Sequence, residues 1–520
     1  MPTTWALPVA DRNERTQSMN AYDLYLISPP LALAALAMLV IVVDLLTRRT
    51  GLLVGLSFVG LAAPAALSAW QVADLTGSGA SELAAEGSVV LHTLSIDKFS
   101  LFFNFLILAA VGLVVLVSTD YVRRMERLQG EFFGLMLLSA TGMMLLVSAN
   151  ELITMYIALE LTTLPLAALA AFLPNGRSSE AGMKFLIIGA LSSALMLYGM
   201  ALIYGFTGST RLDEIAAALS AGAAAGAFPF GSMAILLAIV LLLVGFGFKM
   251  SAAPFQMWVP DVYEGAPTPM VAFLSVASKA AAFALVLRVF YIGFDALGGD
   301  WWVLLAGLAA LSMTVGNLVA IAQRNIKRMF GYSTVAHAGY LLVGVAAVAS
   351  ATDSETFGPS SVLFYLSAYT AANLTAFFAI VCIGNRINSD EIYDYSGMVR
   401  RAPFLAITLA LALIALIGLP PTGLFFAKIY VFAAAINTGE SLMTWLVIIG
   451  VVNSVVSAYY YLRVIKVMFL QTPIHTERVR ASWPVNVALG VATLALVWLG
   501  VAPMTLLGAA ERAVSVLAGG

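Results

Sequence analysis

Five ionisable side chains stand inside long apolar segments of this sequence, where charge is unfavourable. They are Glu160, Lys249, Lys279, His337 and Lys428. An ammonium group at the centre of a membrane helix costs about 2.5–3.5 kcal/mol on insertion scales. One such group could be a structural ion pair or a side chain that extends to the membrane surface, but the second explanation works only near helix ends. Five groups on five segments therefore predict a shared function.

The residue types favour proton transfer. Burial disfavours the charged form of a lysine, and a nearby carboxylate favours it. A buried lysine whose carboxylate partner approaches and retreats can therefore take up and release a proton, and Lys, His and Glu groups linked by water can form a relay along the membrane plane. The same chemistry could move Na⁺, but lysines offer no oxygen ligands to a hard cation.

Three further charged residues lie nearer the ends of their segments. Glu180 precedes Lys184 by four positions, so the two can form an ion pair on one helix face. That pair explains Lys184 without a transport role, and the structural and functional interpretations both stay open. Arg288 lies close to the outer end of its segment, and we expect its side chain to extend to the membrane surface.

Composition indicates the elements that position these groups. The chain has 520 residues, of which 61% are hydrophobic and 10% charged, against about 45–50% and about 25% in soluble domains. A membrane-spanning helix needs about 20 apolar residues. Segments of this kind cover residues 26–47, 52–72, 97–119, 131–148, 150–173, 182–206, 232–258, 267–291, 301–322, 328–349, 361–384, 403–436, 443–469 and 483–508. We predict an all-α polytopic membrane protein with about fourteen transmembrane helices.

Charge and cysteine counts exclude several classes of function. The 26 Lys and Arg residues nearly balance the 28 Asp and Glu residues, so no basic surplus is available for nucleic acid. One cysteine, Cys382, and three scattered histidines make a disulfide framework, a metal site or a haem site improbable. We expect no cofactor in this chain.

Basic residues predict the orientation of the helices. One set of loops carries clusters such as Arg48-Arg49, Arg123-Arg124 and Arg400-Arg401, whereas the other set carries few Lys or Arg. By the positive-inside rule the first set is cytoplasmic, which places both termini on the outer side. Residues 1–25 form a polar overhang without the apolar core of a cleaved signal, and Met19 is an alternative start.

Two helices are predicted to be broken, and their positions suggest an inverted repeat. Pro254 follows Lys249, and Pro420 and Pro421 precede Lys428; an ordinary proline kink would explain either alone. However, Lys428 follows Lys249 by nearly the same distance along the chain as His337 follows Glu160. That distance spans five helices, an odd number, so the second copy is inverted, which in transporters points to an ion pathway.

The predicted organisation follows from this repeat. It comprises the overhang 1–25, three transmembrane helices in 26–119, a first antiporter-like half in 131–291 (helices 4–8), a second in 301–469 (helices 9–13), and a last helix in 483–508. Helices 7 and 12 are the broken ones. Each half would supply half of a channel, one open to each side of the membrane.

Several segments together resemble the antiporter-like membrane subunits of proton-pumping NADH-quinone oxidoreductase (respiratory complex I), subunit N in particular. They include YIALELTTLPLAALAAF, GFGFKMSAAPFQMWVPDVYEGAPTP, SKAAAFALVLRVF, QRNIKRMFGYSTVAHAGYLLVG and GLPPTGLFFAKIYVF. The resemblance implies that Glu160 and Lys249 form a charge pair, that Lys279 is a connecting lysine, that His337 belongs to a central relay, and that Lys428 is the terminal lysine. A lysine in the twelfth helix favours subunit N over subunit M, which carries glutamate there.

The resemblance also implies the surroundings of the chain. NADH, FMN, iron-sulfur clusters and quinone are expected in partner subunits, and the partners are other complex I membrane subunits, including neighbouring antiporter-like ones, in the bacterial cell membrane. Two residues depart from the family pattern: Gln256 stands where histidine is usual, which puts proton transfer there in doubt, and Ala427 stands where glycine is common.

Two other functions stay open on sequence grounds. A subunit of a multisubunit cation/proton antiporter or of a membrane-bound hydrogenase would share the helices and lysines but have different neighbours. A non-pumping scaffold would use the buried charges only to hold helices together.

Overall fold

The structure is a computed structural model. It describes residues 21–47, 49–76, 89–90, 92–123, 125, 128–224, 231–347, 356–474, 479 and 481–518. The predicted overhang and the alternative start at Met19 therefore lie outside the described residues, apart from residues 21–25, which belong to the short helix Ala21–Leu26.

Helices dominate the described residues. Thirteen of them are long and apolar enough to cross a membrane. Two shorter apolar helices, Pro403–Ile417 and Gly423–Asn437, lie where the remaining crossing was predicted. We number the crossings spans 1 to 14 in chain order. They are Ser28–Thr47, Thr50–Thr76, Lys98–Val122, Gln129–Ser148, Leu152–Ala170, Gly176–Thr207, Gly231–Met250, Thr268–Gly293, Gly298–Ile321, Ile326–Ala346, Phe357–Ile387, the two-part span 12 (Pro403–Ile417 and Gly423–Asn437), Ser441–Leu470 and Trp483–Val501.

Every predicted transmembrane segment overlaps one of these spans, so the predicted all-α polytopic fold is confirmed. The other described helices of ten or more residues are Leu212–Ala224 and Pro503–Val514. Strands Val89–Val90 and Leu94–Ser95 form a small antiparallel pair before span 3.

The centre of the bundle consists of spans 8, 10 and 11, which are almost entirely buried. Span 10 packs against span 9, and span 11 contacts spans 10, 12 and 14. In spans 1, 2, 13 and 14 most residues are exposed or half-buried, as expected of helices at the periphery of a membrane bundle. Lys279 and His337 therefore lie on spans that other helices surround, and Lys428 of span 12 is itself buried.

The chain is irregular between Met250, the last residue of span 7, and the short helix Val259–Gly265. The interruption begins at Ser251, whose φ is 62°, and contains a cis peptide bond before Pro254. Side chains supply some of the missing hydrogen bonds: Ser312 Oγ accepts from the Ala253 N–H at 2.9 Å, and Trp258 Nε1 donates to the Phe248 carbonyl at 3.2 Å. Packed protein thus accommodates irregular backbone between apolar helices.

Span 12 is interrupted after Ile417, where Gly418 has a φ of 86°. A positive φ favours glycine because glycine has no Cβ. The interruption contains the cis bond between Pro420 and Pro421, and the helix resumes at Gly423. Lys249 thus precedes its interruption and Lys428 follows its own.

Arg288 is buried, so the expectation that it extends to the membrane surface is wrong. Its side chain is 1% exposed, and Nη2 donates to both carboxylate oxygens of Asp97 at 2.8 and 2.9 Å. Arg288 Nε also donates to the carbonyl of Val147 at 2.8 Å. Asp97 is at the same time the N-cap of span 3, because it accepts the Ser100 N–H. Pairing and complete hydrogen bonding, rather than solvent, satisfy this charge.

Candidate functional site

Glu160 and Lys249 lie on neighbouring spans but bind hydroxyl groups. Lys249, in the last turn of span 7, donates to Thr163 Oγ1 on span 5. Glu160, three residues before Thr163, accepts a hydrogen bond from Ser193 Oγ of span 6 at 2.5 Å. In the described part of the chain, no ion pair joins the two charged groups directly. Their pairing stays a prediction, with Thr163 placed between them.

A small cavity lies beside Lys249. Its volume is about 20 Å³, and Thr163, Trp258 and Ser278 are among its lining residues. This space is sufficient for one water molecule. Ser278 directly precedes Lys279, so the cavity borders the span that carries the next lysine.

Lys279 lies at a local change of helix type in the centre of the bundle. It is 2% exposed and follows the π-helical turn Leu274–Ser278. Such turns are frequently found at functional sites. Lys279 Nζ donates to the Thr334 carbonyl of span 10 at 2.6 Å. Because Thr334 is one turn before His337, this bond links Lys279 to the predicted relay residue.

His337 is surrounded by tyrosines. Its Nδ1 lies 2.8 Å from the Tyr365 hydroxyl, and its Nε2 lies 3.5 Å from the Tyr461 hydroxyl. The ring of Tyr369 packs at 4.9 Å between centroids, and the Tyr369 hydroxyl lies 3.0 Å from Thr334 Oγ1. His337 therefore has a hydroxyl group near each ring nitrogen, and each hydroxyl can donate or accept a hydrogen bond.

Lys428 lies at the interruption of span 12, next to Tyr340. Its Nζ donates to the Ile417 carbonyl at 2.8 Å and lies 4.6 Å from the ring centre of Tyr340. Ile417 is the last residue of the first part of span 12, whose terminal carbonyls lack helical partners. The lysine thus bridges the interruption, and the negative end of the half-helix favours its charge. Tyr340 packs at 5.8 Å from the His337 ring.

Contacts through Thr334 and Tyr340 connect Lys279, His337 and Lys428 into a row of polar and aromatic groups. Glu160 and Lys249 bind Ser193 and Thr163 on spans 6 and 5. The tyrosines and threonines of this row were not predicted. For Tyr365 and Tyr369, the one signal in the sequence is the density of Tyr, Ser and Thr in the largely apolar and buried span 11.

Lys184 and Glu180 form the predicted ion pair, at 2.7 Å, within a larger cluster. Lys184 also binds Asp261 at 2.6 Å, and Arg328 binds Asp261 at 2.7 Å. Burial alone would raise the pKa of Asp261, but hydrogen bonds from Lys184 and Arg328 outweigh it, so that this pKa lies below its usual value. The cluster connects the short helix Val259–Gly265 to spans 6 and 10.

The two departures from the family pattern occupy different surroundings. Gln256 lies in the interruption after span 7, and its buried side-chain oxygen has no hydrogen-bond partner among the described residues. Ala427 is fully buried beside Lys428. No group of three or more His, Cys, Asp or Glu side chains that could hold a metal ion occurs in the part of the chain that the structure describes.

Residues 149–457 match a family model described as "NADH:quinone oxidoreductase/Mrp antiporter, TM". A curated relative from Dehalococcoides mccartyi, NADH-quinone oxidoreductase subunit N, is 42% identical over 499 residues, which are 95% of this chain and 99% of the relative. The chain belongs to the NADH-quinone oxidoreductase subunit N family. Another subunit N, from Trichlorobacter lovleyi, is 40% identical and covers 96% of this chain and 99% of its own.

Solved structures agree with this family. A chain of respiratory complex I from Thermus thermophilus with bound aureothin is 32% identical, with a TM-score of 0.73, over 92% of this chain and 98% of that one. A chain of the Mrp complex from Dietzia has a TM-score of 0.80 over 95% and 98% of the two chains, but it is 19% identical. The second match shows the fold alone, which this chain shares with that chain.

Proposed function

We propose that this chain translocates protons as a membrane-arm subunit of NADH-quinone oxidoreductase, driven by electron transfer from NADH to quinone in other subunits. The relatives named subunit N support the assignment to NADH-quinone oxidoreductase, and the buried row of titratable groups supports proton translocation. The single observation that carries the proposal is that Lys279, His337 and Lys428 are themselves buried and are connected through the Thr334 carbonyl and the surrounding tyrosines. Protein interiors rarely bury such groups without a function.

The contacts suggest the order of the relay. A proton arriving near Glu160 reaches Lys249 and, through the adjacent cavity, Lys279. The hydrogen bond of Lys279 to Thr334 then leads to the hydroxyl groups around His337, and Tyr340 separates His337 from Lys428. Each lysine at a helix interruption has a hydrogen-bond partner that a small movement would remove, Thr163 for Lys249 and the Ile417 carbonyl for Lys428.

The proposed halves, residues 131–291 and 301–469, each contain one helix interruption and its lysine. Each half provides a half-channel, and the central groups of spans 8 and 10 join the two. Lys249 precedes the interruption of its half, whereas Lys428 follows the interruption of the other half. The two halves therefore have the same order of spans, but their residues do not align one by one.

The chain lies in the bacterial inner membrane, with the arginine-rich loops in the cytoplasm and both termini outside. The charge cluster at Lys184 and Asp261 adjoins a loop of the cytoplasmic set, the one before span 10, and supports a structural role for Lys184. The partners are other membrane subunits of complex I, and NADH, FMN, iron-sulfur clusters and quinone are held by other chains. This chain supplies no metal-ligating set among its described residues.

Replacement of Lys428 by methionine tests the relay. Lys428→Met keeps the length and apolar part of the side chain but removes the titrating group. In inverted membrane vesicles that contain the assembled complex, we expect NADH-driven proton uptake to be lost or strongly reduced. Lys466→Met is the matched control, because Lys466 is exposed near the end of span 13. Unchanged proton uptake and quinone reduction in assembled Lys428→Met complexes would show that the buried lysine is only structural.

A second experiment separates the complex from an ion exchanger with the same fold. The chain is extracted gently from native membranes, and co-purifying proteins are identified by mass spectrometry. We expect flavin and iron-sulfur subunits with NADH-quinone activity. Recovery with polytopic subunits alone, together with Na⁺-dependent proton movement, would instead support a subunit of a cation/proton antiporter.

A further inference from the structure

A buried asparagine of span 9 connects three spans beside the buried row. Asn317 is fully buried, and its Nδ2 donates to the Tyr340 hydroxyl of span 10 at 3.2 Å and to Oδ1 of Asn453 of span 13 at 3.3 Å. Its Oδ1 accepts a hydrogen bond from the Tyr460 hydroxyl of span 13 at 3.0 Å. Hydrogen bonds of this kind can hold membrane helices together, but the contacts of Tyr340 give Asn317 a more specific role.

Two glycines bring Asn317 close to Tyr340. A Cβ added to Gly316 would lie 2.5 Å from the backbone nitrogen of Ala336, and one added to Gly339 would lie 2.7 Å from a backbone nitrogen of span 9. The backbones of spans 9 and 10 therefore approach each other closely, as small residues allow between membrane helices. Gly316 directly precedes Asn317 and Gly339 directly precedes Tyr340, so this close approach sets the positions of both side chains.

The hydrogen bonds determine the direction of the amide group. Asn317 Nδ2 also donates to the Met313 carbonyl at 2.9 Å, and a carbonyl oxygen can only accept. The amide nitrogen therefore faces Tyr340, and the Tyr340 hydroxyl oxygen is the acceptor of that bond. Ser454 Oγ of span 13 lies 3.4 Å from the same hydroxyl. The Tyr340 hydroxyl is thus bound by groups of spans 9 and 13.

The ring of Tyr340, in contrast, contacts the buried row. The Lys428 Nζ lies 4.6 Å from its centre, and the His337 ring lies 5.8 Å away between centroids. The face of an aromatic ring attracts a cation, and this attraction is stronger where water is excluded. The ring cannot, however, take the proton that the lysine carries. While its hydroxyl is bound to span 9, Tyr340 therefore favours the charged form of Lys428 without competing for its proton.

From these contacts we infer that Asn317 is a positioning residue for proton transfer between His337 and Lys428. It binds the Tyr340 hydroxyl and thereby holds the Tyr340 ring against both groups. This inference rests on the proposed function, and it assigns no proton to Asn317 itself. Without the bond, the ring is no longer held against the lysine, and transfer at this point of the row slows.

Proton uptake by inverted vesicles that contain the assembled complex tests this inference in three variants. Asn317→Leu removes the amide, Tyr340→Phe removes the hydroxyl but keeps the ring, and the third variant combines both changes. We expect each single change to slow NADH-driven proton uptake about threefold to tenfold, the effect of one buried hydrogen bond on a rate. The double variant should be no slower than the slower single variant, because both changes break the same bond. If the two losses multiply instead, Asn317 acts independently of Tyr340 and the inference is wrong.

The matched controls are two buried residues whose side-chain oxygens have no hydrogen-bond partner in the described part of the chain. They are Asn104 and Tyr395, and we expect Asn104→Leu and Tyr395→Phe to take up protons at nearly the wild-type rate. Wild-type uptake in Tyr340→Phe would overturn the inference even if Asn317→Leu failed to assemble. Wild-type uptake in Asn317→Leu, with uptake lost in Lys428→Met, would overturn this inference alone. Unchanged uptake in Lys428→Met would refute the proposed function and this inference together.

Discussion

The buried pair of Arg288 and Asp97 offers a quantitative test of the structure. Arg288→Met removes four hydrogen bonds and leaves the Asp97 carboxylate buried without its cation. Loss of one partner of a buried ion pair destabilises proteins by about 3–5 kcal/mol. An arginine that extended to the membrane surface, as its sequence position predicts, would contribute about 0–1 kcal/mol. The two arrangements therefore differ by more than the error of a stability measurement.

Unfolding of the purified protein in mixed micelles, at increasing fractions of sodium dodecyl sulfate, measures this difference. We expect Arg288→Met to be less stable than wild type by about 3–5 kcal/mol. Asp97→Asn in the same background should recover part of the loss, because it removes the unpaired charge but keeps an oxygen to cap span 3. Arg512→Met is the control, since Arg512 is exposed. A loss of stability no larger than that of the control would refute the buried pair.

Three more outcomes are expected. Tyr365→Phe removes the hydroxyl at Nδ1 of His337, and we expect slower proton uptake with the fold unchanged, measured in vesicles. Thr163→Val removes the hydroxyl that binds Lys249 and should lower stability by about 1–3 kcal/mol and impair proton uptake, because the ammonium loses its partner. Asp261, whose pKa is lowered, contributes stability that is present above its unfolded-state pKa and is lost as the pH falls through its folded-state pKa. Asp261→Asn should therefore flatten the acid side of the stability profile measured by thermal unfolding.

Each of these variants has an exposed counterpart. Tyr459→Phe, Thr505→Val and Asp213→Asn change the same groups on exposed residues. Proton uptake in Tyr365→Phe equal to that in Tyr459→Phe would mean that the hydroxyl at His337 takes no part in transfer. Thr163→Val indistinguishable from Thr505→Val would remove Thr163 from the site. An unchanged acid profile in Asp261→Asn would show that the cluster is not held by this carboxylate.

The fold could be predicted because its main signal is local. Each crossing requires about 20 consecutive apolar residues, and each predicted segment overlaps a span. The interruptions were also visible, since Pro254, Pro420 and Pro421 stand inside apolar segments. Hydropathy alone could not show where the helices resume, and so the opposite placement of Lys249 and Lys428 relative to their interruptions appears only in the structure.

The sequence predicted the charged residues of the site but not the tyrosines and threonines that contact them. Buried Lys, His and Glu residues are conspicuous because of their cost, whereas a buried tyrosine is compatible with ordinary packing. Tyr365 and Tyr369 were therefore not predicted, although they contact His337 or Thr334 and lie in a span dense in Tyr, Ser and Thr. Arg288 was assigned to the surface because its partner Asp97 is distant in sequence and becomes adjacent only when spans 3 and 8 pack.

The hydrogen bond between Lys428 and the Ile417 carbonyl couples the charge of Lys428 to the relative position of the two parts of span 12. The charged form of Lys428 stabilises this arrangement of the two parts of span 12 by some coupling free energy. By reciprocity, a partner that displaces one part shifts the equilibrium between charged and neutral lysine by that same coupling free energy. Displacement of span 12 by a neighbouring subunit and protonation of Lys428 therefore shift the same equilibrium. A force on span 12 from outside this chain would in this way change the protonation of Lys428 without contacting that residue.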